Sequence, residues 1–219
     1  LPARLERYII ADDVEIEDVT KRFSLFHLVG GPVPEDVAAA KAITANRLGS
    51  NGTDLWIHRT ESDRVRQQLS HSGVFFLDAA PAEVRRIEMG IPRWGRELTE
   101  DIIPVEANLE EAAIDYGKGC YIGQEVISRM KMSGQTNKRL RGLVSSNARA
   151  LLPGSHLWSR EGPVKEAGWV TSAAHSDRLG KEIALGYVKR GFNDDGSQLL
   201  AGPSPDDAAA VIVVPLPFA

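Results

Sequence analysis

The chain has a single cysteine, Cys120, among its 219 residues. That excludes a disulfide within the chain and any metal or iron-sulfur site built from this chain's thiols alone. Long apolar runs are missing too: the longest, Ala208 to Pro215, is far too short to span a bilayer as a helix. Neither sign of charge dominates. With 26 Lys and Arg against 30 Asp and Glu, the formal net charge is -4, which gives no bias towards nucleic acid or an acidic membrane surface. The five histidines, His27, His58, His71, His156 and His175, include no H-x-x-x-H pair, so no metal site is expected. Gly30-Gly31-Pro32 lacks the G-x-G-x-x-G pattern of a dinucleotide loop, and neither Ser155-His156 nor His175-Ser176 sits in a G-x-S-x-G elbow.

What is present is an ordinary globular composition, 42% hydrophobic, in a chain long enough to bury roughly 70% of its unfolded surface. One thiol and no secretory apolar segment point to a reducing compartment: the cytoplasm, or an organelle matrix if a targeting segment precedes Leu1. Leu1, Leu5 and Tyr8 fall at helical spacing. Val14 to Val19 and Leu25 to Val29 alternate like strands, and Pro34 to Ala42, with Val37, Ala38 and Ala42 on one face, reads as a helix. A strand at Leu55 to Arg59, a helix at Ser62 to Ser70, a strand at Gly73 to Leu77 and a helix at Pro81 to Met89 follow. This order predicts an α+β fold, a two-layer domain with a mostly antiparallel sheet. From Arg139 on, short apolar segments (140–144, 155–158, 164–171, 182–188 and 209–215) are divided by Gly, Pro, Ser and Asp, which is the pattern of a small β-barrel. The polar link Ser133 to Asn137 sets the expected boundary, giving domains 1–137 and 138–219.

The densest chemistry lies in Lys118-Gly119-Cys120-Tyr121-Ile122-Gly123-Gln124-Glu125. A lysine beside the thiol, and the helix that opens at Gln124, would favour the thiolate, while Gly119 and Gly123 admit positive φ. The alternative is a small apolar cysteine in a glycine-flanked loop.

KGCYIGQE closely resembles the signature of folate-binding proteins related to glycine-cleavage aminomethyltransferase, in the branch implicated in iron-sulfur enzyme maintenance and tRNA modification. Arg86-Ile87-Glu88-Met89-Gly90-Ile91-Pro92 resembles that family's R-x-E-x-G-I-P stretch, and Pro104-Val105-Glu106-Ala107-Asn108-Leu109 its P-x-E-A-x-L segment. Gly168 to Ser172 and Ile183 to Val188 resemble its G-x-V-T-S and I-A-L-G-Y-V elements. The resemblance implies tetrahydrofolate as cofactor, with Glu88 recognising the pterin edge, whose adjacent N–H donors suit two carboxylate oxygens. It further implies that Lys118 and Arg139 meet the anionic tail, that Tyr121 packs on a ring and that Gln124 assists. Cys120 is then the candidate catalytic residue, completed by external thiols or a partner if it ever holds iron. The resemblance also implies a preceding segment that, in the transferases, carries the catalytic aspartate. Three functions follow: a folate-binding accessory protein for iron-sulfur cluster assembly or repair, with folate and iron-sulfur proteins as partners; a folate-dependent aminomethyltransferase or other one-carbon transferase; or a non-catalytic scaffold.

Overall fold

A computed structural model describes residues 2–6, 8–9, 13–37 and 39–218. Contacts divide the chain into two compact units that part between Leu77 and Asp78. By contacts, therefore, the helices between 78 and 137 stand with the barrel strands rather than with the N-terminal sheet.

The first unit is a three-stranded antiparallel sheet in the order β1 (Phe23–Val29), β3 (Asn51–His58), β2 (Lys41–Asn46). Helix α2 (Ser62–His71) supplies Val65 and Leu69, one turn apart, to a core with Leu28, Leu55 and Ile57. A short helix α1 (Pro2–Glu6) covers part of the helix expected over Leu1 to Tyr8; Leu1 lies outside the described residues. The expected helix over 34–42 is not formed. Only a turn occurs at 35–36, Val37 and Ala39 pack on the core, and from Lys41 the chain pairs with β3; Ala38 lies outside the described residues. The open edge of β3 needs backbone partners, and β-branched Ile43 and Thr44 supply them better than an alanine-rich helix could. The strands expected at Val14 to Val19 and Gly73 to Leu77 are not formed: Val14 and Phe75 stand 58% and 96% exposed, and no sheet edge among the described residues receives them.

In the second unit six strands close an antiparallel barrel in the order β4 (Lys138–Ser145), β7 (Lys181–Lys189), β6 (Glu166–Ser176), β5 (His156–Ser159), β8 (Gln198–Ser204), β9 (Asp207–Val214). The expected combination of a mixed domain, mostly antiparallel, with a C-terminal barrel is thus observed. The interior is filled by Leu143, Leu157, Val170, Ala184, Val188, Leu199, Val211 and Val213. Outside, helix α3 (Ala79–Glu88) lays Ile87 against Leu140, Ile183, Leu185, Tyr187 and Phe218. A 3-10 turn at Pro104–Ala107 adds Ala107 to that seam, followed by a short helix α4 (Glu110–Ala113). Helix α5 (Gln124–Ser133) begins at Gly123 with φ 91 and ends at Gly134 with φ 63, the left-handed conformation that glycine takes without a Cβ penalty. It contains no buried residue. No helix among the described residues is long and apolar enough to cross a membrane.

Candidate functional site

The structure separates the expected site residues into three places. Glu88 closes α3. Its side chain is buried: Oε1 accepts a hydrogen bond from Ser176 Oγ at 2.5 Å, and Oε2 one from Arg178 Nε at 3.1 Å, with Arg85 Nη1 at 3.5 Å. Its carbonyl accepts from Phe218 N at 2.8 Å. Burial pushes the Glu88 carboxyl up, but the hydrogen bonds from Ser176 and Arg178 outweigh it and hold the group below its ordinary value. Glu88 edges a cavity of about 370 Å³ with Pro81, Val84 and Arg85 on one side and His175, Asp177 and Arg178 on the other. None of the other five candidates lines this cavity.

Lys118, Cys120, Tyr121 and Gln124 stay together because they are neighbours in one loop. The Lys118 ammonium lies 5.3 Å from the Tyr121 ring centroid, and Cys120 is a free, exposed thiol. Gln124 N donates to Tyr121 O at 3.2 Å, closing the turn into α5. Gly123 has the positive φ expected of it; Gly119 does not. Arg139, on β4, is half-buried and already engaged: Nε donates to Asn108 Oδ1 at 2.6 Å and Nη2 to Glu110 Oε1 at 2.7 Å. Asn108, in left-handed conformation at φ 59, also donates from Nδ2 to Leu140 O, so this cluster ties the 104–110 segment to β4. Among the described residues no group of three or more His, Cys, Asp or Glu is placed to hold a metal ion.

The sequence reading missed the charged network beside Glu88. Glu97 is fully buried. Its Oε2 accepts from Arg86 Nη1 and from Arg93 N, both at 3.0 Å, and its Oε1 from Thr171 Oγ1 at 2.7 Å and Ser172 Oγ at 2.6 Å. Arg86 also forks onto Glu83, with Nε–Oε2 2.9 Å and Nη2–Oε1 2.7 Å, and donates to Ile91 O. This network fixes α3 and the 91–98 loop on β6, and so fixes where Glu88 and its cavity stand. The one available signal was the position of Thr171 and Ser172 inside the G-x-V-T-S element, two hydroxyls in an apolar strand that need a polar partner.

Residues 138–219 match the sequence pattern of the glycine cleavage T-protein C-terminal barrel domain. An aminomethyltransferase of Corynebacterium jeikeium is 30% identical over 168 residues, 74% of this chain and 43% of that protein. One from Saccharopolyspora erythraea is 31% identical over 189 residues, 84% of this chain and 50% of that protein. The crystal structure of glycine cleavage system aminomethyltransferase T from Bartonella henselae superposes with a TM-score of 0.71 at 19% identity, over 85% of this chain and 54% of that one, a likeness of fold. The chain spans half or less of the length of these curated relatives. From its C-terminal barrel through the segments before it, the chain is related to the glycine cleavage T-protein, or aminomethyltransferase, family.

Proposed function

We propose that the chain belongs to a tetrahydrofolate-dependent one-carbon transferase of the aminomethyltransferase type, and that Glu88 recognises the pterin. The observation that supports this reading most is the extent of the kinship: similarity to proteins named aminomethyltransferase runs over 84% of the chain and includes the segment that carries Glu88. Bound tetrahydrofolate supplies the nitrogen that takes up the one-carbon unit; this chain supplies orientation. A carboxylate has about four acceptor positions, and Glu88 spends two of them on strong hydrogen bonds, to Ser176 and Arg178. Ser176 is buried and stays. Arg178, whose side chain is half exposed, can turn outward and yield Oε2 to the pterin N–H donors. The aliphatic walls, Pro81 and Val84, then cover one face of the ring. Under this reading residues 1–137 form the folate-binding portion and 138–219 the barrel, with Lys118, Tyr121, Gln124 and Arg139 meeting the remainder of the ligand. Anaerobic calorimetry tests the assignment. Tetrahydrofolate should bind the full chain, and Glu88→Gln should weaken it about tenfold, the loss of one charge-assisted bond. Equal affinity in both proteins removes Glu88 from the site, and no heat with a folded chain favours the scaffold.

A second reading is favoured by one observation, the exposure of Cys120 on the loop before α5. In it the same folate-binding chain serves iron-sulfur cluster assembly or repair and dependent tRNA modification, its thiol meeting iron or a partner's cysteine. This version predicts that cells carrying Cys120→Ser lose iron-sulfur enzyme activity while tetrahydrofolate affinity in vitro is unchanged. Full enzyme activity in such cells contradicts it.

A further inference from the structure

A second cavity, of about 290 Å³, opens on the barrel wall and has a chemistry of its own. Its floor is aromatic. Trp169 on β6 is half-buried and Tyr187 on β7 fully buried, and their ring centroids lie 5.3 Å apart with the planes tilted by 38°. The floor is held rigidly, because Tyr187 Oη donates to Glu97 O at 2.9 Å and Tyr187 packs on Ile87 and Leu140. Lys138 Nζ stands 5.9 Å and 6.0 Å from the two ring centroids and is neutralised by Glu106 Oε2 at 3.0 Å. On the rim, by contrast, stand two exposed, opposite charges, of which Arg96 acts on the Glu83 carboxyl from a distance without forming an ion pair. The exposed side chains of Arg96 and Asp101 have no hydrogen bond or ion pair to any described side chain, and both line the cavity. Arg93, three residues from Arg96, is locked onto Glu83 by an ion pair, whereas Arg96 feels the same carboxylate only at a distance.

An aromatic floor takes the face of a flat ring, an unpaired guanidinium takes a carboxylate, and an unpaired carboxylate takes N–H donors. We infer that this cavity binds a small planar aromatic ligand that carries both a carboxylate and an amino group. The ring lies on Trp169, the carboxylate meets Arg96 and the amino group donates to Asp101. The site is not the one edged by Glu88. Ser176, which holds Glu88, is seven residues along β6 from Trp169, about 20 Å at strand spacing, so the two cavities stand or fall separately. The source that carries both groups is a free aminoaryl carboxylate; the aminobenzoyl portion of a folate has its carboxyl tied up as an amide and offers Arg96 no carboxylate on the ring.

The full chain, labelled with nitrogen-15, is titrated with 4-aminobenzoate, benzoate and aniline while the Trp169 indole N–H resonance, assigned by its loss in Trp169→Phe, is followed. 4-Aminobenzoate should shift it saturably and bind about fivefold more tightly than either benzoate or aniline, the worth of one hydrogen bond. Arg96→Ala should erase its advantage over aniline, and Asp101→Asn its advantage over benzoate; both positions are exposed, so the fold is kept. Tetrahydrofolate, whose aminobenzoyl carboxyl is an amide, should leave the resonance unmoved; a shift equal to that with 4-aminobenzoate would show that the carboxylate is not recognised and overturn the inference. No shift with any of the three small probes, or an unchanged ranking in Arg96→Ala, overturns the inference.

Discussion

The seam between α3 and the barrel and the segment from Lys118 to Ser133 lie in one unit, yet they are built on opposite plans. In the seam, charged side chains are buried and every one is matched: Arg86 by Glu83 and Glu97, Glu88 by Ser176 and Arg178. In the loop and α5 nothing is buried, and Ile122 and Met132 each stand 89% exposed. The only ion pair on α5 among the described residues, Glu125 with Arg129 at 2.6 Å, is between two exposed side chains and worth little. The loop and α5 bury nothing, whereas the seam is organised by Arg86, Glu88, Thr171 and Ser172, which stand in the R-x-E-x-G-I-P and G-x-V-T-S stretches, and by Glu97, which stands in neither. Residues in recognisable motifs are thus of two kinds, one buried in the seam and one held outside the core.

Replacing Glu97 should separate the two regions most. Glu97→Ala removes four hydrogen bonds from a fully buried carboxylate and leaves Arg86 buried with Glu83 alone, so urea unfolding should show a loss of roughly 3 kcal/mol. A loss below about 1 kcal/mol would place the strength of the seam elsewhere. Gly168→Ala comes next. The backbone there has φ 146, and a Cβ would lie 1.9 Å from Tyr187 O, between two central strands. The barrel should lose about 2–3 kcal/mol, read from its thermal midpoint.

Acid sharpens the same contrast. Glu83 and Glu88 are both held below their ordinary values in the folded chain, Glu83 chiefly by its bonds from Arg86 and Glu88 by Ser176 and Arg178 against the cost of burial. The stability they contribute is present above the ordinary carboxylate value and is lost as pH falls below about 4. Glu88→Gln should cost about 1–2 kcal/mol at neutral pH and flatten the acid limb of the stability curve below pH 4. An acid limb identical to that of the parent would mean that the folded carboxyl is not held down. Smallest of all, Cys120→Ser and Val126→Ala should change the unfolding free energy by less than about 0.5 kcal/mol, because neither side chain is buried. A larger loss would show the loop and α5 to be covered by packing that exposure does not reveal.

Much of the fold was legible because period and punctuation sufficed. The barrel strands announce themselves as short apolar runs between Gly, Pro and Ser, and α2 and α3 by apolar residues one turn apart. Strand β2 was not legible, since Lys41 to Asn46 has no alternation and is a strand only because β3 offers it an edge. Nor was β8, in which Gly202 and Pro203 break an otherwise apolar run. The candidate site was legible in its residue types and not in its assembly. Glu88 and Cys120 could be named from motifs and Arg139 from its charge, but their separation depends on α3 docking to β6 and on Arg139 turning to Asn108 and Glu110, contacts between residues about 30 to 90 positions apart.

The central claim is that Glu88 serves both the seam and a ligand, with Arg178 as the group that steps aside. Tetrahydrofolate titrated calorimetrically into the full-length Arg178→Ala protein tests this most directly, because the substitution removes the hydrogen bond on Oε2, leaving only Arg85 Nη1 at 3.5 Å, without touching the carboxylate. The account predicts binding about as tight as in the parent or tighter, against a clear loss in Glu88→Gln. Equal losses in both variants, or no dependence on either, would make Glu88 a structural clamp and contradict the claim.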